Sequence, residues 1–213
     1  MKINLVGISV ATCVVLFGSQ QGYSQGTFVN LDFESVIRPL IPDINSRVPI
    51  TNALPGWTAY LNGIPRDQVL FNEISLGGPS VSLLDSLSPF SNLRPIQGDF
   101  CAYLSAGAIS QTGRIPNDAS SLFFLSVPGS VFLVSFGGQN IPVVQFGTIG
   151  NNIIMAGDIS SFAGQTGQLV FASGGGLVDA IQFSPQTIPE PGTFCLFGLG
   201  ALLLGWRFLY KRP

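Results

Sequence analysis

Ten carboxylates and no histidine bound the chemistry open to residues 25–188 of this 213-residue chain. Paired acids can cleave glycosides, one as the acid and the other as nucleophile or base. Asp32 and Glu34, two apart in "NLDFES", would share one face of a regular strand. Their spacing does not separate them from the accidental pairs that ten scattered acids make. The chain therefore reads as not an enzyme, with an uncharacterised glycosidase as the third reading. The missing histidine also removes the commonest general base, the Ser-His and Cys-His nucleophile pairs, and most zinc and copper sites. Cysteine chemistry is equally thin. Of Cys13, Cys101 and Cys195, only Cys101 lies between the two apolar ends, so no disulfide can form within the domain. Its surroundings, "GDFCAYLS", alternate like a strand and suit a small buried hydrophobe. Aromatic faces for stacking on sugar are few. Trp57 and Tyr60 in "LPGWTAY" are the ligand candidates, and Trp57 after Pro-Gly also reads as a core plug.

The elements that must position these residues are strands. "GTFVNLDFE", "GWTAYL", "DQVLFN", "SVSLLD", "DFCAYLS", "SLFFLSV", "SVFLVSFGG", "IPVVQFG", "NNIIMAG", "GQLVFAS" and "LVDAIQFS" are short and rich in β-branched and aromatic residues, with Gly, Pro, Asn and Ser dividing them. Many short strands with frequent turns predict an all-β sandwich or barrel. Arg38 to Asn52, with three prolines, reads as a long surface loop. Charge excludes one partner class. Residues 25–188 carry five arginines, no lysine and ten acids. Nucleic-acid binding needs a basic stripe, so no nucleic acid is expected.

Both ends point at a membrane. Met1 and Lys2 precede the apolar run "INLVGISVATCVVLFGS", the pattern of a secretory signal peptide. Gly22 and Ser24 are small residues suited to a cut between Ser24 and Gln25 by signal peptidase, after passage through the Sec machinery. Residues 1–24 are thus read as signal peptide and 25–187 as the domain. At the other end, Thr193 to Trp206 is uncharged. Fourteen helical residues span about 21 Å, against a hydrocarbon core of about 30 Å. Extension through "RFLY" predicts one transmembrane helix over about 192–210, if Arg207 bends its guanidinium to the headgroups. Arg207, Lys211 and Arg212 stop translocation and keep their side in the cytoplasm, so the domain lies outside the inner membrane.

Pro189, Glu190 and Pro191, followed by the apolar segment and the terminal bases, resemble the PEP-CTERM sorting signal of Gram-negative bacteria. The resemblance covers residues 188–213. It implies that an exosortase, a membrane-embedded cysteine protease, cuts near the triplet and passes the domain to the cell surface or extracellular matrix. Such proteins accompany exopolysaccharide and biofilm. The two prolines resist helix and keep that stretch extended and open to a protease.

"NLDFES", "LPGWTAY", "DISSFAGQTGQLVF" and "LVDAIQFS" resemble galactose-binding-like jelly rolls, the fold of many carbohydrate-binding modules. That resemblance implies a jelly-roll β-sandwich with Asp158 capping a short helical turn. It also implies a structural calcium tying the first strand to the last. Glu34 and Asp179 would supply carboxylates and Asp32 a third; the alternative is solvent-facing acids at strand ends. No other cofactor is required. The leading expectation is an exported structural or adhesive protein of the exopolysaccharide matrix. The alternative is a carbohydrate-binding module that recognises exopolysaccharide.

Overall fold

A computed structural model describes residues 26–188. The signal peptide, its Ser24/Gln25 cut, the Pro189–Pro191 triplet, the bases Arg207, Lys211 and Arg212, and the expected helix at 192–210 lie outside the described residues. Within them, no helix is long and apolar enough to cross a membrane.

The described chain is nearly all β. Its strands are β1 (Arg47–Pro49), β2 (Thr58–Leu61), β3 (Ile64–Arg66), β4 (Gln68–Phe71), β5 (Ser80–Asp85), β6 (Phe100–Ser105), β7 (Gly107–Arg114), β8 (Ser121–Ser126), β9 (Phe132–Phe136), β10 (Gln139–Ile141), β11 (Val143–Ile149), β12 (Asn152–Asp158), β13 (Thr166–Ser173) and β14 (Gly176–Ser184). They form two sheets. One has eight strands in the order β1-β4-β5-β6-β14-β8-β12-β11, the other six in the order β10-β9-β13-β7-β2-β3. Every pairing is antiparallel except β4 with β5.

One core joins the two sheets. Phe124 on β8 meets Phe132 on β9 and Phe171 on β13 edge to face, each at 5.2 Å between ring centroids. Such contacts add about 0.5–1.5 kcal/mol each beyond the area they bury. In β13, buried Leu169 and Phe171 alternate with half-buried Val170 and Ala172, the signature of a sheet with one wet face. β5 differs, since five of its six residues are buried. The segment between β5 and β6 covers its outer face, where Leu93 and Ile96 pack on Leu84, Cys101 and Leu177. Cys101 is a free, buried thiol. Burial, then the nearby Asp179, Glu34 and Asp85 carboxylates, push its pKa well up, so it stays protonated and unreactive.

Two stretches depart from the sequence reading. "GTFVNLDFE" is not a strand: its end turns over at Leu31–Phe33, with Phe33 at φ 64°. Asp32 and Glu34 therefore do not stand together on a regular strand face. A side chain takes the place of a neighbouring strand there. Val29 N–H donates to Gln111 Oε1 on β7 at 2.6 Å, and Gln111 Nε2 donates back to the Val29 carbonyl at 2.9 Å. Arg38 to Asn52 is not wholly a surface loop either. It contains β1 and opens α1 (Ile50–Ala53), and it buries Val48 and Ile50 in the main core. At the short 3-10 turn Ser160–Phe162, the Ser160 N–H donates to Asp158 Oδ1 at 2.8 Å. That carboxylate sits one residue ahead of the N-cap.

Candidate functional site: a carboxylate clamp and an uncharged groove

The clamp begins at Asn30, held at φ 52°. Its side chain accepts the Ser35 N–H at 2.8 Å and donates to the Pro55 carbonyl at 3.1 Å. Its own carbonyl accepts the Trp57 indole N–H at 2.9 Å. Trp57 is buried, with its ring between Phe33 at 5.8 Å and Phe171 at 6.4 Å. It cannot offer a face to a ligand. Its role is to pin the turn that carries Glu34.

Glu34 then reaches the loop ahead of β6. Its Oε1 accepts the Asp99 N–H at 2.9 Å and the Phe100 N–H at 3.0 Å. Gly98, at φ 69°, makes this approach possible, because a Cβ there would lie 2.2 Å from that oxygen. Asp179 takes the same loop from the other side. Its Oδ2 accepts the Ile96 N–H at 2.8 Å and the Gln97 N–H at 2.9 Å. A bulge in β14 between Asp179 and Gln182, with Ala180 at φ 46°, frees the Ile181 N–H for the Leu31 carbonyl at 2.9 Å. The N-terminal turn, the 96–100 loop and the last strand are thereby tied at one place.

Asp179 is wholly buried, and its Oδ1 has no hydrogen-bond partner. Burial pushes its pKa up to about 6; the N–H groups of Gln97, Ile96 and Ala180 pull it back, and the Glu34 charge adds to the rise. The structure thus brings Glu34 and Asp179 together. Asp32 does not join them: its Oδ1 accepts the Glu34 N–H at 3.3 Å. Among the described residues, no group of three or more His, Cys, Asp or Glu could hold a metal. Asp179 Oδ1, bare and buried, is an oxygen donor of the hard kind that calcium takes, whereas Asp179 Oδ2 and Glu34 Oε1 are each already occupied by two backbone N–H groups.

The groove lies on the outer face of the six-stranded sheet. Registers place Tyr60 opposite Ala108, Ala108 opposite Ala172, and Ala172 opposite Leu133. One row thus crosses β2, β7, β13 and β9. Two alanines form a low floor, and Tyr60 and Leu133 stand as walls about 14 Å apart, three strand spacings of about 4.8 Å. The next row runs Thr58, Ser110, Val170 and Ser135, with Gln168 Nε2 donating to Ser110 Oγ at 2.9 Å. The groove measures about 860 Å³, and no charged side chain lines it. Leu133 is 69% exposed, a large apolar residue left unpaired beside this floor. Sequence reading reached Tyr60 but missed Ala108, Ala172 and Leu133, since residues of this kind carry no signal without the register that aligns them.

β14 starts at Gly176, beside the groove residue Ser173, and ends eight residues later at Ser184, about 26 Å away along an extended strand. There the Ser120 N–H donates to the Ser184 carbonyl at 2.7 Å and Ser121 Oγ to the Gln186 carbonyl at 2.6 Å.

Comparison with known proteins gives three results. No curated protein matches the chain. Among solved structures, it is similar to the Stig cyclase Fisc from Fischerella sp. TAU, in complex with (3Z)-3-(1-methyl-2-pyrrolidinylidene)-3H-indole, at 14% identity and a TM-score of 0.45, covering 74% of this chain and 95% of that one. The third result concerns the tail, where the Pro-Glu-Pro triplet, the apolar segment and the terminal bases had implied sorting. Residues 187–212 match the PEP-CTERM protein-sorting motif, which supports an exported protein sorted by an exosortase and implies a membrane-anchored intermediate.

Proposed function

We propose that this chain is an adhesive protein of the cell surface or extracellular matrix. Its jelly-roll domain would grip a neutral glycan chain in the groove walled by Tyr60 and Leu133. In this reading the protein binds and does not catalyse. The observation that carries it is the row Tyr60–Ala108–Ala172–Leu133: a low, uncharged trough with an aromatic wall and the exposed Gln168 amide at hand. The absence of charge favours a neutral sugar over an acidic one.

Glu34 and Asp179 would hold a structural calcium ion that locks the N-terminal turn to the last strand, away from the groove. Its contribution would be rigidity of the domain rather than contact with the glycan.

Two measurements test the reading. Full-length protein in detergent, applied to an array of neutral and acidic polysaccharides, should bind a neutral one. Tyr60→Ala should weaken that binding about tenfold or more while the melting midpoint stays close to wild type; tenfold is about 1.4 kcal/mol, within the roughly 1–3 kcal/mol that a base stacked on an aromatic side chain contributes. No signal on any neutral polysaccharide removes the glycan. For the tail, mass spectrometry of native protein should find a C-terminus close to Glu190. Replacing Pro189–Pro191 with alanines should leave the chain intact to Pro213 and retained in the membrane fraction. An unprocessed wild-type chain would mean a permanent anchor.

A further inference from the structure

A second cleft lies on the other side of β2 from the groove. Tyr60 faces the groove, while Ala59 and Leu61 face this cleft. It forms because β4 and β5 splay. Their parallel pairing covers only Leu70 with Ser82 and Phe71 with Leu83, leaving Gln68 and Val69 apart from Ser80 and Val81. β1 and β3, one edge strand from each sheet, flank the opening. The resulting space of about 320 Å³ is lined on its apolar side by Leu61, Leu70 and Leu76.

Both edge strands bring an arginine to it, Arg47 from β1 and Arg66 from β3. The other three arginines of the domain have partners. Arg38 pairs with Asp99 at 3.7 Å, Arg94 donates to the Ser88 carbonyl at 3.3 Å, and Arg114 donates to the Gly164 carbonyl and Asn117 Oδ1 at 2.9 Å each. Neither Arg47 nor Arg66 lies within 4.0 Å of a carboxylate among the described residues. In a domain where acids outnumber bases two to one, two guanidiniums without an ion-pair partner at one cleft stand against the background. Exposed, unpaired guanidiniums that share a concave site with apolar walls suit an oxyanion carried on a small organic body. Asp67 also lines the cleft. Its charge disfavours a dianion more than a monoanion, which selects carboxylate over phosphate or free sulfate.

We propose that this cleft binds the carboxylate of a small organic acid of about sugar-acid size, held between Arg47 and Arg66. The site is separate from the glycan groove and stands or falls without it.

Calorimetric titration of the full-length protein in detergent at low salt tests it, with glucuronate as probe and glucose and sulfate as the other arms. Glucuronate should bind saturably and glucose should not. Arg47→Gln and Arg66→Gln should each weaken glucuronate binding about tenfold, and the pair should abolish it. Both side chains are exposed, so near-UV circular dichroism should stay that of the wild type. Arg94→Gln and Tyr60→Ala should leave glucuronate binding unchanged, which separates this site from the groove. Sulfate binding as tight as glucuronate would overturn the carboxylate assignment. Absent glucuronate binding, or binding that survives the double variant, would overturn the site.

Discussion

In chelator at pH 7.5, the Asp179→Asn variant should melt higher than the wild type, and saturating calcium should reverse the order. The expectation follows from the cost of keeping Asp179 charged where it is buried. Its pKa is raised from 3.8 to about 6, chiefly by burial, so the folded state holds the proton more tightly than the unfolded chain does. Stability from this group is complete below about pH 4 and is lost as the pH rises through about 6. The full shift corresponds to roughly 3 kcal/mol. Asparagine removes the charge, and its Oδ1 can still accept the Ile96 and Gln97 N–H groups. Its amide nitrogen then occupies the place of the unpartnered Oδ1, which returns part of the gain. A net gain of about 1–2 kcal/mol for the variant, or roughly 2–8 °C in midpoint for a domain of this size, is expected in chelator.

Calcium changes the sign because a carboxylate that coordinates a cation is favoured in its charged form. At a free concentration one hundred times its dissociation constant, a ligand that binds only the folded state adds about 2.7 kcal/mol. The wild type should gain that amount and Asp179→Asn little of it. Glu34→Ala should also lose the calcium response, and it frees the Asp99 and Phe100 N–H groups as well. The charged group that acts on Asp179 is Glu34, so the transition near pH 6 should move slightly with ionic strength. Identical midpoints with and without calcium in both proteins would dismiss the ion. Wild-type stability that is flat from pH 4 to 7 in chelator would dismiss the buried charge.

Sequence and structure agree where a side chain's own character decides its place, and part where register or a long-range contact does. "GQLVFAS" and "SLFFLSV" are legible as strands because alternating large apolar residues leave few other ways to bury them. β7, a central strand of the six-stranded sheet, escapes the same reading. Its sequence, "GAISQTGR", is small and polar because Ala108 and Ser110 line the groove and Gln111 spends its side chain on the Val29 backbone. The first segment misleads in the opposite way. "GTFVNLDFE" alternates like a strand, yet a positive φ at Phe33 ends the alternation, since Trp57 and the β14 bulge hold that turn from a distance. Glu34 and Asp179 were reachable through resemblance alone. The loop of backbone N–H groups at residues 96–100 that joins them has no side-chain pattern to announce it. Asp32 falls outside the clamp for the same local reason: the turn aims its carboxylate at the Glu34 backbone.

Trp57→Ala should be the most damaging single change in the domain and should also erase the calcium response. Truncating a buried Trp costs about 3–5 kcal/mol through lost burial and the cavity left behind. The Asn30 carbonyl loses its indole donor besides, a further cost of about 1–3 kcal/mol if no water replaces it. Against a typical domain stability of about 5–15 kcal/mol, this lowers the midpoint by roughly 10 °C or more. The turn that holds Asn30 and Phe33 at positive φ is then free to relax, and Glu34 loses its fixed approach to the loop at Asp99 and Phe100. Trp57→Phe should fall in between, because it keeps contacts with Phe33 and Phe171 but not the hydrogen bond. The comparison that matters is with Tyr60→Ala, three residues along and on the opposite side of the same strand's sheet. An aromatic that serves the fold shifts the midpoint when removed; one that serves a ligand shifts binding and leaves the midpoint alone. If Trp57→Ala abolished glycan binding at an unchanged midpoint, Trp57 would be a binding face after all, and the core position that the clamp depends on would be wrong.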